Sequence, residues 1–292
     1  MTASCELEVR FHDLPADLDP YFTTFCYGVV TVHDGDVVHD AMQPEWGTLR
    51  FFPQAQPTIF VDGHEAIGGA GFVASGPTSS QLEYTLGTTT FWGVGLLPLG
   101  WATFIDFPAD SMANTVVDGM ADERFAGFRE LGKKLLAANL DEEAEKEVII
   151  DFFRHRAKRH PVDAERIVRI HRSLLAEDLP DVATLAQMCD LNQRTLARLC
   201  RRAFGFPPKL LLRRQRFMRT LAAYMLEDKA TWSEMIDELY YDQPQFVREC
   251  REFLGVTPSE YAATKRPILD AFIRERLRHL GVPVQTLQAP AS

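Results

Sequence analysis

Paired cysteines, long apolar runs and an overall positive charge are all missing from this chain. Its five cysteines (Cys5, Cys26, Cys189, Cys200 and Cys250) are odd in number, widely spaced and without a CxxC pair, which speaks against a disulfide framework and against a zinc site. No stretch of about 18 apolar residues could cross a bilayer, and no initial run resembles a secretion signal. A cytoplasmic, reduced setting with no membrane partner is the expectation. The formal net charge of -10 argues at first against a polyanionic partner.

What is present modifies that first impression. With 292 residues, 46% of them hydrophobic, the chain can bury a sizeable core and has room for two domains. The charge is uneven: residues 1–140 carry 18 acids against 6 bases, residues 141–292 carry 23 against 25. Between Asp190 and Arg219 stand nine Arg or Lys and one acid. Screening confines exposed charges to roughly 10 Å at ordinary salt, so this local cluster matters more to a phosphate backbone than the distant acidic half does.

One short pattern occurs twice, fifty residues apart. Setting Gln193–Pro208 over Gln243–Pro258 matches Gln193 with Gln243, Arg198 with Arg248, Cys200 with Cys250, Arg201 with Arg251, Gly205 with Gly255 and Pro208 with Pro258. Apolar character matches too, at Leu196 with Phe246, Ala203 with Phe253, Phe204 with Leu254 and Phe206 with Val256. An apolar stripe, a polar face and a terminal Gly preserved together indicate one supersecondary unit used twice, and two copies are too few for a solenoid.

From Phe22 to about Phe107 the sequence favours strands: Phe25 to Val32, Val37 to Met42, Thr48 to Phe52, Thr58 to Val61, Ser80 to Leu86 and Thr89 to Leu97. Turn signals at Asp34-Gly35, Pro53, Pro57, Asp62-Gly63 and Gly76-Pro77 break them. Such spacing implies a small antiparallel barrel or sandwich. After Pro108 the apolar period becomes helical at Phe125, Phe128, Leu131, Leu135 and Leu136, and again at Val148, Ile149, Phe152 and Phe153. Segments of this kind connect domains or make dimer contacts. From Asp163 onward the pattern is helical almost throughout. One helix carries Ile167, Ile170, Leu174 and Leu175 and ends near Asp178 to Pro180. Val182 to Cys189 makes another, then a turn at Asp190-Leu191 leads to a helix from Asn192, its N-cap, to Phe204. Gly205, Pro207 and Pro208 end it. Lys209 to Leu226 predicts one longer helix of about 27 Å at 1.5 Å per residue. The plan repeats with Trp232 to Glu238, a turn, and Gln243 to Leu254 with Asp242 as N-cap and Pro244 in the first turn.

A helix fits the major groove of B-DNA, where Arg pairs well with guanine and Gln with adenine. In the first unit Leu196, Leu199, Cys200 and Ala203 form the buried stripe, which turns Gln193, Arg194, Ala197, Arg198 and Arg201 outward. In the second, burial of Phe246, Cys250, Phe253 and Leu254 turns out Gln243, Gln245, Val247, Arg248 and Arg251. Glu249 and Glu252 make the second helix less basic, so the first is expected to supply more of the affinity. Lys209, Arg213, Arg214, Arg216 and Arg219 on the long helix fit phosphate contacts or partners for acidic neighbours about equally well.

These residues carry a resemblance. Residues from about Val182 to Tyr261 resemble the double helix-turn-helix domain of the AraC/XylS family of transcription regulators, notably at Gly205-Phe206-Pro207-Pro208, along Arg213 to Arg219, at Tyr240-Tyr241-Asp242-Gln243 and at Gly255-Val256-Thr257-Pro258-Ser259-Glu260-Tyr261. Residues 11–140 resemble, more loosely, the N-terminal sensor or dimerisation region of a subgroup, through Gly93-Val94-Gly95-Leu96-Leu97-Pro98-Leu99-Gly100. The resemblance implies a cytoplasmic regulator that binds promoter DNA, often as a homodimer, contacts RNA polymerase and can take a small-molecule effector in its N-terminal domain. The family favours Gly in each turn, where this chain has Asp190 and Leu239; Asp tolerates a left-handed backbone, whereas Leu would cost about 1–2 kcal/mol there. Pro244 and Gln245 replace the family's usual small polar residue and His.

Catalysis finds little footing. His33, His39 and His64, with Glu45 and Glu65 nearby, lack the short spacing of a cupin-type metal motif. Gly69-Ala70-Gly71-Phe72-Val73-Ala74 formally fits a dinucleotide fingerprint but runs into Ser75-Gly76-Pro77 instead of opening a helix, so it is expected to be a turn-rich loop. No enzyme, cofactor or metal site is expected. Trp46, Phe60, Tyr84, Phe91, Trp92, Trp101 and Phe104 line a pocket on one reading and fill a core on the commoner one. The expected fold is α+β: an antiparallel β barrel or sandwich over 1–140, a helical linker over 141–164, an all-α double helix-turn-helix domain over 165–266 and an extension over 267–292. The competing reading keeps this fold but makes the helical half a degenerate module that binds a partner protein instead of DNA.

Overall fold

The computed structural model describes residues 5–33, 37–61, 64–157, 161–176, 178, 181–226, 240 and 243–290. The sequence expectations at Asp34-Gly35, Asp62-Gly63, Trp232 to Glu238, Leu239, Tyr241 and Asp242 lie outside the described residues. Among the described residues ten strands form two antiparallel sheets. They are β1 (Cys5–His12), β2 (Phe22–Val32), β3 (Val38–Met42), β4 (Thr48–Phe51), β5 (Thr58–Val61), β6 (His64–Gly68), β7 (Phe72–Ser75), β8 (Leu82–Leu86), β9 (Thr89–Leu96) and β10 (Val116–Asp118). One sheet runs β1-β2-β9-β4-β7-β10 and the other β3-β8-β5-β6.

Four strands, β1, β6, β7 and β10, lie outside the six that the sequence predicts, and β1 and β7 depart for opposite reasons. β1 pairs along its whole length with β2, from Cys5 opposite Val32 to His12 opposite Phe25, although it precedes the stretch read as strand-rich. β7 falls where a loop was expected. Phe72, Val73, Ala74 and Ser75 are all buried, and the strand sits between β4 and β10. A strand covered on both faces has no polar alternation to betray it, and only the glycines before it, with Gly69 at φ +72°, form the expected turn.

The helices of the first half serve the larger sheet. α1 (Pro98–Phe104), α2 (Arg129–Leu136) and α3 (Glu142–Arg156) bring Phe104, Leu131, Leu135, Ile149 and Phe153 into one core with Phe22 and Phe25. The Phe22 and Phe153 rings meet edge to face at 4.7 Å. Trp92 donates its indole N–H to buried Glu145 at 2.7 Å, which pins α3 to the sheet. Of the aromatic residues weighed for a pocket, Trp46, Trp92, Trp101 and Phe104 belong to this core.

That core does not stop at the β half. It continues through α4 (Ala164–Leu174) and α5 (Val182–Met188) to α6 (Gln193–Leu199), taking in Ile167, Ile170, Leu174, Leu185, Leu196 and Phe204. At the junction His171 is buried beside Trp46, at 5.6 Å between ring centroids. Burial first, then the charges of Arg214 and Arg172, push its pKa down to about 3. The unfolded chain takes up this proton near pH 6.5 while the folded chain refuses it. Stability is therefore complete above about pH 6.5 and is expected to fall by ~1.4 kcal/mol per pH unit below it. Urea unfolding of His171→Phe against the parent at pH 7 and pH 5 checks this: the variant should lose the acid-dependent part.

The remaining helices among the described residues are α7 (Pro208–Leu226), α8 (Gln243–Leu254), α9 (Pro258–Ala263) and α10 (Pro267–Leu280). α10 leaves the helical half and returns to the β half, where Phe272 packs on Phe11 at 5.2 Å. Its start is capped from a distance: the Asp40 carboxylate on β3 accepts from the backbone N–H of Ile268 at 2.8 Å and of Leu269 at 3.2 Å, satisfying donors that a helix start leaves open. Beyond α10 the tail ties the halves together. Gln285 accepts from the Trp46 N–H at 2.6 Å and donates to Thr23 Oγ1 at 2.9 Å, while Thr286 C=O accepts from Gln215 on α7 at 2.8 Å.

Candidate nucleic-acid interface

The first recurring unit is built as its sequence requires. The Asp181 side chain caps α5 by accepting from Thr184 N–H at 2.7 Å, and Asn192 caps α6 by accepting from Thr195 N–H at 2.8 Å. The turn between them depends on Asp190, whose φ of +55° is the left-handed conformation that Asp reaches more readily than most non-glycine residues. Asp190 thus does what glycine would do. The helix runs on through one wide π-type turn, Cys200–Phe204, and stops at Gly205 with φ +84°, a glycine C-cap.

Leu196, Leu199, Cys200 and Ala203 are buried as the stripe predicts. Gln193, Arg194, Arg198 and Arg201 are exposed, with Ala197 half-buried among them. Arg194, Ala197, Arg198 and Arg201 share one shallow concavity with Arg202, Pro108 and Asp110. Arg202 is exposed as well; it stands one residue past the Arg201 repeat position, and the basic run itself is its signal. Arg198 has one weak partner, Asp163 at 3.7 Å, an exposed pair of the kind worth little.

In the second unit Phe246, Cys250, Phe253 and Leu254 are fully buried. Gln243, Arg248 and Arg251 are exposed, and Gln245 and Val247 half-buried. Glu249 differs from the outward acid its charge suggests. It is 2% exposed and sits at the spacing of Phe246, Cys250 and Phe253, so the 3.6-residue period carries it inward. There its carboxylate accepts from Tyr240 Oη at 2.7 Å, Arg213 Nε at 2.9 Å and Arg216 Nη2 at 2.8 Å. Arg213 also pairs with Glu252. Burial and then the Glu249 charge hold the Tyr240 hydroxyl well above its ordinary range.

The long helix is therefore not a row of phosphate contacts. Arg213 and Arg216 bind α8, and Arg214 is wholly buried, with its guanidinium 4.0 Å from the Trp46 ring and a hydrogen bond to Thr78 C=O at 2.7 Å. Arg219 reaches Leu174 C=O at 3.4 Å. Of the five basic residues considered, Lys209 is the exposed one. α7 spans about 28 Å at 1.5 Å per residue and uses its arginines to hold the two units and the β half in place.

Residues 185–264 match the family described as a helix-turn-helix domain. This segment is an AraC-type helix-turn-helix domain. The AraC-type domain takes in most of α5, all of α6 to α9, and both recurring faces. Residues 185–264 are accordingly a domain of the DNA-binding type found in transcription regulators. No curated protein matches the chain. Solved structures similar to it include ToxT from Vibrio cholerae O395 bound to (E)-4-(8-methylnaphthalen-1-yl)but-3-enoic acid, 9% identical over 89% of this chain and 98% of that one, TM-score 0.44. Unsaturated fatty acid bound ToxT from Vibrio cholerae strain SCE256 is 10% identical over 89% and 96%, TM-score 0.42. The AraC-like transcriptional activator CuxR is 16% identical over 74% and 87%, TM-score 0.26. Among the described residues no helix is long and apolar enough to cross a membrane.

Proposed function

We propose that the protein is a sequence-specific regulator that lays α6 and α8 into successive major-groove segments of promoter DNA. Arg194 and Arg198 read base edges from α6; Gln243, Gln245 and Arg248 do so from α8. Gln193, Ala197, Arg201, Val247 and Arg251 complete the two contact surfaces. The observation that carries this reading is the repeat itself: the same positions that match in sequence are buried on one face of both helices and leave Arg and Gln on the other. The inward use of Arg213, Arg214 and Arg216 supports it further, because it leaves the arginines of α6 as the basic surface of the first unit.

The proposed division of labour places DNA binding in 165–266 and sensing in 1–140, with 141–164 joining them. Its partners are promoter DNA, a second copy of the chain, RNA polymerase and a small effector held by the β half. The test is a footprint on promoter fragments selected from genomic DNA by the full-length protein. Arg198→Ala is expected to cost ~1–3 kcal/mol, about 10- to 100-fold in affinity, and to relax selectivity at one base position. Unchanged footprints with unchanged selectivity would remove α6 from the groove. Affinity should also fall steeply with salt; salt-independent binding would favour a protein partner for this face.

A further inference from the structure

Asp163 stands one residue before α4, the place from which an acidic side chain ordinarily accepts from the open backbone N–H groups of its own helix. Asp122, Asp141, Asp181, Asn192 and Thr257 do this at the helices they precede. The Asp163 side chain makes no capping hydrogen bond. One of its carboxylate oxygens instead accepts from Arg166 Nη1 at 2.9 Å, and the other faces Arg198 Nη2 at 3.7 Å. A side chain that forgoes its local role in this way marks a position held for another purpose.

Resting on the base-reading role proposed above for Arg198, we propose that Asp163 is a specificity-determining residue: its carboxylate positions the Arg198 guanidinium toward the O6 and N7 edge of one guanine in the major groove. A guanidinium has five N–H donors, so one turned to Asp163 leaves enough for the two acceptors of guanine. α6 itself carries no acid that could hold Arg198. Unrestrained, its long flexible stem delivers the charge as readily to a neighbouring phosphate, a contact without sequence information. The carboxylate narrows those directions. For stability an ion contact of this length contributes little, but a supporting partner that fixes where a recognition group points acts on selectivity. Entry of α6 into the groove displaces water and strengthens the attraction. Arg166, on the other oxygen, sets two positive charges against one negative, so the acid does not turn the duplex away.

Asp163 and α4 precede the matched segment 185–264, so the selectivity of α6 depends on a residue outside the domain that carries it. The carboxylate is held firmly, because Ile167, Ile170 and Leu174 seat α4 in the core shared with the β half. A shift of α4 thereby alters base preference without touching α6. A second acid, Asp110, lines the same shallow concavity as Arg194, Arg198 and Arg202 and provides the control for charge alone.

The experiment uses the full-length protein and a promoter fragment that it selects from genomic DNA, with each alternative base pair placed in turn at the position where Arg198→Ala changes selectivity. The parent is expected to prefer guanine there about 10- to 100-fold. Asp163→Asn keeps a side chain that suits a helix start and should not lower the unfolding temperature. It should reduce the guanine preference about fivefold and leave preferences at other positions unchanged; in the Arg198→Ala background it should change no preference, as a coupled pair requires. Asp110→Asn should alter affinity for all fragments alike and leave the preference where it was. An unchanged preference in Asp163→Asn, an equal loss in Asp110→Asn, or a further loss in the Arg198→Ala background overturns the positioning role while base reading by α6 stands. If Arg198→Ala changes selectivity nowhere, base reading by α6 fails and the role of Asp163 falls with it.

Discussion

Glu249→Ala is expected to destabilise the protein by about 3–5 kcal/mol, the range for breaking a buried charge network by removing one member. The carboxylate is the shared acceptor of Tyr240, Arg213 and Arg216. Without it, Arg216 on α7 and a buried tyrosine hydroxyl lose their carboxylate acceptor, and Arg213 keeps Glu252 alone. Glu252, half-exposed and paired with Arg213 alone, provides the contrast: Glu252→Ala should cost no more than ~1 kcal/mol. Urea unfolding of the two variants measures the difference. Equal losses would mean that Glu249 is solvated and that the second recognition helix is held by its apolar stripe. Glu249→Ala should also shorten the footprint at the half-site proposed for α8 while sparing that of α6, because the network ties α8 to α7.

Phe204→Ala is expected to cost as much, about 3–5 kcal/mol, and to do so from the other end of the domain. Phe204 is completely buried in the last turn after α6. Its ring meets the Trp46 ring at 5.7 Å and that of His171 at 6.1 Å, so one side chain contributes to the first recognition unit and to the β half together. The cavity left behind adds to the lost transfer energy because neighbours held by two domains collapse only partly. The unfolding temperature should drop by about 10 °C. A loss near 1 kcal/mol would show that the halves separate easily and that the shared core relaxes around the gap.

Much of this molecule is legible in its sequence, and each failure has its own physical cause. The repeat identifies both buried stripes, Asn192 identifies a cap and Gly205 a stop, because each is decided within a few residues of chain. Glu249 escapes a reading by residue type, since an acid inside a helix is counted as outward even where the helical period places it beside Phe246 and Phe253. β7 escapes because burial on both faces erases alternation. β1 shows clear alternation at Leu7, Val9 and Phe11, and lies outside the strand-rich stretch only because its partner β2 begins ten residues later. The seat of α10 on the β half is of another kind. Asp40 meets Ile268 across 228 positions of chain, and no local pattern in either segment announces the other.

That distance has a consequence during biosynthesis. Pro267 follows Leu96 by 171 residues, so at roughly 5–20 residues per second the β half waits on the order of 10–30 s for the helix that covers it. Through that interval Ile59 and Phe91 have no lid, and the nascent chain presents them to solvent, chaperones and neighbouring polypeptides. The last step of maturation is then a long-range closure, slow by its topology.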